Sequence, residues 1–382
     1  MKILYLSEDY PYSKVHHELC NNIVSISGEH LILYSVLRSK IQKRDLRATY
    51  QNVKYATLFN DISSDISRHE LRYKYDFSYK IKIKYNWLVS HCKISEVGVV
   101  HAATLFSEGA VALRLYEEYG IPYIVAVRGS DINFYFKYMV HLWHWGIKIL
   151  SNAQRVIFLT DSGAQQLLRR NRILFRISSA LELKKCIIPN GIDNFWLEHR
   201  YPKKVLQVPS NILYVGIFKH NKNVCLLCES VLKLKKKHPH IKLTLVGGGG
   251  EEHEKVLHYC NKYPDTFSYL GKIYDKKILC NIFRENDIFA MASHSETFGL
   301  VYVEALSQGL PVLYTKGQGI DGVFEENIGE AVVSTSQKSL LSGLNKLINT
   351  YATYQLDETD LDRFSWNNIA HSYLNIYFSI FR

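Results

Sequence analysis

Two glutamates eight positions apart, Glu296 and Glu304, flank a Phe298-Gly299 pair in the run SHSETFGLVYVEALSQGLPVLYT, residues 293–315. A short helical pattern follows the pair. Gly309 and Pro311 stop it, and an apolar strand pattern begins. The first N–H groups of a helix have no partner within it and carry partial positive charge, so this helix start suits a phosphate. Gly299 removes a side chain where backbone would approach such a group. Glu304, about one turn into the helix, reaches toward a sugar hydroxyl beside the phosphate. Taken alone, the two glutamates would be an acid near a helix start and an exposed helical acid, both favoured by the helix dipole. The residues around them decide for the phosphate site.

The run resembles the signature of retaining glycosyltransferases of family 4, two glutamates separated by seven residues, whose members have the GT-B fold. The resemblance implies that Glu296 contacts the transferred sugar, that Glu304 holds the nucleotide ribose, and that the backbone of Phe298, Gly299 and Leu300 binds the diphosphate. Residues 211–223, NILYVGIFKHNKN, resemble the family segment in which a Gly (Gly216) precedes an Arg and then a Lys. Lys222 matches the Lys, but Ile217 stands where the Arg belongs, and Lys219 or His220 is left to replace that cation. VGGGGE at 246–251 resembles the family's Gly-rich turn. FSYLGKI at 267–273 resembles the strand whose end contacts the base, which makes Ile273 a base contact. VAVRGSDIN at 125–133 resembles the family's His-Gly-x-Asp segment, with Arg128 in place of His. An Arg cannot act as a base at neutral pH, so Arg128 would orient or neutralise. The resemblance implies a hexosyltransferase-type enzyme with a nucleotide-sugar co-substrate, no cofactor and no catalytic metal. Glu296, Lys222 and Arg128 are its expected catalytic residues, and Asp131 lies on the acceptor side.

Short apolar runs must position these groups. They fall at 2–6, 31–37, 53–59, 97–102, 123–128, 155–160 and 186–189, then at 212–217, 242–247, 267–271, 288–292 and 312–315, with helical patterns between. Strands alternating with helices give parallel sheets covered on both faces. Two series give an α/β chain of two doubly wound, Rossmann-like domains, 1–195 on the acceptor side and 205–365 on the donor side, facing across a cleft. The terminal segment 366–382 has apolar residues at helical spacing, and the resemblance implies a helix crossing back to the first domain. IIPNGID at 187–193 reads as the interdomain turn. Family members carry glycines after the first strand, whereas this chain has SKVHH, residues 13–17. His16 or His17 contacts an acceptor phosphate or caps the next helix.

At 382 residues with 47% hydrophobic content, the chain exceeds one comfortable core. The opening MKILYLSEDYPY is no secretory signal, no run of eighteen apolar residues occurs, and seven scattered cysteines fit reduced thiols in a cytoplasmic protein. Cys225-Leu-Leu-Cys228 lies in an apolar helical stretch and reads as structural. His141-Leu-Trp-His144 beside Trp145 reads as a packed or interfacial helix. Gly317–Gly322 fits a dinucleotide fingerprint but lacks the acid about 20 residues on. Asp360-Leu-Asp362 reads as an exposed acidic patch. The net charge is +11; residues 1–198 hold 26 Lys and Arg against 18 Asp and Glu. The excess gathers at 38–47 and in RYKYDFSYKIKIK, 72–84. No nucleic-acid module accompanies it, so it is a solvated face or a contact with anionic lipid.

These readings converge on a transferase moving a sugar from a UDP- or GDP-type donor onto a growing, lipid-linked glycan of a bacterial surface polysaccharide, at the inner face of the membrane. A nucleotide-sugar epimerase or hydrolase on the same fold, and a silent sugar-nucleotide-binding scaffold, are the alternatives.

Overall fold

The computed structural model describes residues 2–8, 10, 13–28, 31–36, 56–60, 70–170, 172–206 and 208–381. The chain divides into two compact units, residues 1–159 with 164–191 and 366–382, and residues 160–163 with 192–365. The first unit holds a seven-stranded sheet: β1 (Lys2–Leu6), β2 (Leu31–Val36), β3 (Ala56–Asn60), β4 (Val97–Ala102), β5 (Tyr123–Val127), β6 (Arg155–Phe158) and β7 (Lys185–Ile187), in the order β3-β2-β1-β4-β5-β6-β7. The second holds β8 (Asn211–Gly216), β9 (Lys242–Gly247), β10 (Phe267–Gly271), β11 (Ile288–Ala290), β12 (Val312–Thr315) and β13 (Gly329–Val332), in the order β10-β9-β8-β11-β12-β13. All the pairings are parallel.

Period-two alternation sorts the first unit's core onto two faces. Leu4 and Leu6 of β1 point to one apolar cluster, and Ile3 and Tyr5 point to the other. Over the first face lie α3 (Phe77–His91), α4 (Ser107–Tyr119) and α5 (Trp143–Asn152), with the short α2 (Glu70–Tyr75) leading into α3. Over the second lie α1 (Lys14–Ser27) and the C-terminal helix, Trp366–Phe381. Trp366, Ile369, Tyr373 and Tyr377 bury the apolar stripe of that last helix, each contributing about 1.5–3 kcal/mol. Gly191 makes its docking possible, because a Cβ there would sit 2.5 Å from the Trp366 ring.

Both sheets reverse strand order at one place, between β1 and β4 and between β8 and β11. Chains leaving the carboxyl ends of those two neighbours splay to opposite sides, which opens a crevice where ligands of such sheets bind. The loops after β8 and β11 are the two segments in which the sequence places Lys222 and Glu296. In the second unit α6 (Val224–Leu234) follows β8, and α7 (Leu300–Ser307) precedes β12.

Candidate active site

At the switch point of the second sheet, Lys222 Nζ lies 2.6 Å from Glu296 Oε2. The residues are 74 apart in sequence, and three backbone devices bring them together. Asn221 Nδ2 donates to the Ser295 carbonyl at 2.8 Å, and the His294 N–H donates to the Asn221 carbonyl at 2.8 Å. Asn223, left-handed at φ 59°, donates from Nδ2 to the Ala292 and Ser334 carbonyls at 3.1 and 2.7 Å. The loop after β8 is thus laced to the segment after β11. Glu296 is held from its other side. Its N–H donates to Gln318 Oε1 at 3.2 Å, and its carbonyl accepts from the Gly319 N–H at 3.0 Å. The Gly317–Gly322 stretch is therefore the brace of this glutamate.

The Gly-rich turn after β9 presses on the same loop. A Cβ on Gly247 would sit 1.8 Å from the Gly216 carbonyl oxygen, and one on Gly250 would sit 2.5 Å from that of Phe218. The Phe218 N–H donates to the Gly249 carbonyl at 3.0 Å, and the Glu252 N–H donates to the Phe218 carbonyl at 2.9 Å. Only glycines allow this backbone-to-backbone approach. Lys219 is exposed, with its stem against Gly250. The Glu251 carboxylate accepts the His220 N–H at 2.8 Å, and its own backbone N–H, then that bond, then nearby Lys219 hold it below the usual carboxylate range. His220 Nδ1 lies 3.5 Å from Glu252. Exposed Ile217 presents a side chain that carries no charge.

Gly299 opens α7 in the left-handed region at φ 82°, where its missing side chain leaves room for Tyr302. No side chain caps this helix start. Phe298 is buried, its ring 5.6 Å from Phe364, and it anchors the turn while its backbone remains at the helix opening. Leu300, Glu296 and Glu304 are half-buried. Gly216 ends β8 beneath the loop, and Ile273 follows β10, half-buried at the edge of the sheet. The second unit therefore assembles Gly216, Lys219, Lys222, Glu296, Phe298 and Gly299 from separate stretches, with Ile273 further out. Sequence reading missed the braces Asn221, Asn223 and Gln318, whose only signal is a polar residue beside a motif.

The first unit corrects several expectations. His16 is buried on α1 with Nδ1 2.6 Å from Tyr5 Oη, and burial, then the Arg128 charge, push its pKa down to about 3. His17 is buried beside Tyr10 at 3.4 Å and lowered by burial and Lys14. Ser13, with no side-chain bond, holds the cap position of α1. Neither histidine caps the helix. Asp131 is buried and accepts the N–H groups of Arg128, Leu105 and Phe106 at 2.8, 3.2 and 3.4 Å. It clasps the end of β5 to the start of α4. Burial pushes its carboxyl up to about 7 against the pull of those donors. Arg128 donates from Nε to the Ala103 carbonyl at 3.1 Å and from Nη1 to Asn190 Oδ1 at 3.2 Å.

Within the basic stretch 72–84, Arg72, Lys74 and Lys82 are exposed, while Lys80 and Lys84 turn inward. Lys80 Nζ lies 3.0 Å from Glu8, and fully buried Lys84 lies 3.7 Å from Glu8 and 3.5 Å from Glu108. These two cations neutralise acids at the first sheet's switch point. Residues 38–47 lie outside the described residues.

Residues 202–358, within the second unit, match the family model described as glycosyl transferases group 1. The GPI3 subunit of phosphatidylinositol N-acetylglucosaminyltransferase from Saccharomyces cerevisiae is 24% identical over 243 residues, 60% of this chain and 52% of that protein. The chain thus spans about half the length of the curated relatives it matches. Among solved structures, the lipopolysaccharide outer core galactosyltransferase WaaB in its apo form superposes with a TM-score of 0.71 at 16% identity, covering 99% of each chain. Anabaena HepE in complex with UDP-glucose gives 0.66 at 16% identity, covering 99% of this chain and all of that one. The fold is GT-B, and the second unit is similar to the group 1 glycosyl transferases.

Proposed function

We propose that this protein is a retaining, family 4 glycosyltransferase that moves a hexose-type sugar from a UDP- or GDP-sugar onto a lipid-linked glycan of a surface polysaccharide. The observation that carries the proposal is the Lys222–Glu296 pair at 2.6 Å, held at the strand-order reversal where the uncapped start of α7 belongs to the same segment. The donor diphosphate sits at the opening amides of α7, and Lys222 moves from Glu296 to a phosphate oxygen. Glu296, released, accepts from the hydroxyls of the transferred sugar, and Glu304 accepts from the ribose. Gly216 and Lys219 line the phosphate side, and Ile273 packs on the base.

As the bond from the anomeric carbon to the diphosphate oxygen breaks, negative charge grows on the leaving phosphate. Preorganised N–H groups and an ammonium stabilise that charge more than they stabilise the bound donor. The leaving phosphate takes the acceptor proton, and the new bond forms on the face the phosphate left. No step requires a metal. Arg128 keeps an orienting or neutralising role at the end of β5. Similarity to a phosphatidylinositol glycosyltransferase and to a lipopolysaccharide galactosyltransferase, by their names, supports a lipid-borne acceptor and a protein bound at the cytoplasmic face of a membrane.

A thermal-shift screen of nucleotide sugars tests the reading. The true donor at 100 times its dissociation constant adds about 2.7 kcal/mol of stability. Lys222→Ala should abolish that shift at the same concentration, and Glu296→Ala should abolish transfer. Turnover of donor without acceptor, at the full rate, would replace the transferase by a hydrolase or epimerase.

A further inference from the structure

From Ile132 to Thr160 the chain contains no Asp or Glu, while Lys137, Lys148 and Arg155 fall within that stretch. Its first half, INFYFKYMVHLWHW, is dense in aromatic residues. In the structure it runs as a π-helical turn (Asp131–Tyr135), a short helical piece (Phe136–Tyr138) and a 3₁₀ turn (Val140–Leu142) leading into α5. One side of this broken helix is core: Ile132, Phe136 and Leu142 are buried, and Phe106 packs on Tyr135 and Phe136 at 4.5 and 5.1 Å. The other side points to solvent. Phe134 is 46% exposed, Tyr138 60% and Val140 59%, and the Lys137 ammonium lies 4.9 Å from the Tyr138 ring centroid.

A second exposed tip adjoins it. Phe77, at the start of α3, meets Trp145 edge-on at 5.9 Å. Just before Phe77, α2 leaves Leu71 and Tyr75 about three-quarters exposed, with Lys74 over the Tyr75 ring. Two acids flank that tip in sequence, Glu70 and Asp76; Asp76 is half-buried, lies 3.4 Å from Arg72 and accepts the Tyr79 N–H. Apolar bodies with polar tips, interleaved with lysines, are the composition of the bilayer interface, where aromatic rings sit at headgroup level and lysine stems lie along them. A second copy of the chain fits less well, since it would set the exposed Lys74 and Lys137 against a face of like charge.

We infer that the face formed by Phe134, Tyr138, Val140 and Lys137, with Leu71 and Tyr75 beside it, docks on an anionic lipid bilayer. The segment begins three residues after Arg128, at the carboxyl end of β5, so the bilayer would lie against the strand ends of the unit assigned to the acceptor. This rests on the proposed membrane contact and assigns it to particular residues, in place of the lysines that the structure turns inward.

Flotation of the full chain with vesicles of phosphatidylcholine, and of its equal mixture with phosphatidylglycerol, tests the assignment. Binding should be at least about tenfold stronger to the anionic vesicles and fall with added salt. Lys137→Ala should weaken it about fivefold. The triple variant Phe134→Ser, Tyr138→Ser, Val140→Ser should abolish it while melting like the parent, since all three side chains are on the surface. Equal binding to neutral vesicles, or a triple variant that floats like the parent, would overturn the inference. So would a concentration-dependent dimer that the same triple variant dissolves. The nucleotide-sugar thermal shift, read without vesicles, fails or succeeds separately.

Discussion

Replacing Glu296 by Gln separates two jobs that the glutamate holds in the empty and the loaded site. With no donor present, its carboxylate is the partner of Lys222 at 2.6 Å, and both side chains are about four-fifths buried. A diphosphate must compete with that carboxylate for the ammonium. It must also approach a negative charge. A half-buried ion pair is worth about 1 kcal/mol, and a like charge about 6 Å away in an effective dielectric near 40 costs about 1.4 kcal/mol. Glu296→Gln removes both penalties and keeps the shape. A nucleoside diphosphate with no sugar should therefore bind roughly 5-fold to 50-fold more tightly to the variant. The intact nucleotide sugar gains less, because the amide loses the charged acceptor for the sugar hydroxyls. Transfer should fall by about a hundredfold or more, since the lost contact is one that strengthens as the sugar gains positive character. Calorimetric titration with UDP and GDP, alongside initial rates, reads all three quantities. If Glu296→Gln binds the diphosphate no better than the parent, Lys222 is not the phosphate cation and the site assignment fails.

Gly319→Ala places a Cβ 2.8 Å from the Phe298 carbonyl and 3.0 Å from Glu296 Cγ at φ 53°; kcat should drop about tenfold or more with little loss of fold, read by rate and melt together. Asn223→Ala forfeits two buried bonds and keeps a left-handed backbone, so it should cost about 2–4 kcal/mol in urea unfolding, with Asn223→Gly recovering about 1 kcal/mol of backbone strain. His16, with its folded pKa lowered to about 3, stays neutral while the unfolded chain protonates near pH 6.5. Its contribution is therefore full above pH 6.5 and lost as pH falls toward 3, and His16→Gln should remove one proton from the uptake on unfolding in that window. Asp131, raised to about 7, has the opposite sign: it lowers stability as pH rises from about 4 to 7. Asp131→Asn should remove that slope, as pH-dependent melts would show.

Twelve apolar runs were legible as strands, and each overlaps a strand of the structure, because strands buried on both faces are almost continuously apolar. β13 was not legible: GEAV is four residues at a sheet edge, half-exposed, with a Gly and a Glu inside it. The glutamate run and the Lys222 loop were readable because helix stops, glycines and a Lys are local signals. That the two meet is a property of strand order, β8 beside β11, which no single stretch encodes. Two lysines of the basic stretch 72–84 have the same origin. Lys80 and Lys84 look like a solvated face until Glu8 and Glu108 arrive from the ends of β1 and β4. Asp131 and His16 differ: their partners, backbone N–H groups and a tyrosine, come from other parts of the fold and leave no local signal.

The two units therefore handle charge in different ways, and the difference has consequences for salt. Around the loop after β8 each lysine stands near a carboxylate: Lys222 with Glu296 and Lys219 with Glu251. A donor anion entering there exchanges one set of partners for another, and the uncompensated attraction comes from the fixed amides at the start of α7. Mobile salt screens such short, half-buried exchanges poorly. On the 131–148 face the lysines are exposed: Lys148 pairs with Glu117 at 2.5 Å, and Lys137 lies over the Tyr138 ring. Their attraction to a charged surface acts through water, and salt weakens it steeply. Raising ionic strength should thus detach the protein from anionic vesicles well before it loosens the nucleotide sugar. An enzyme assayed on a soluble acceptor would keep its rate under salt that abolishes its activity on a bilayer-borne one.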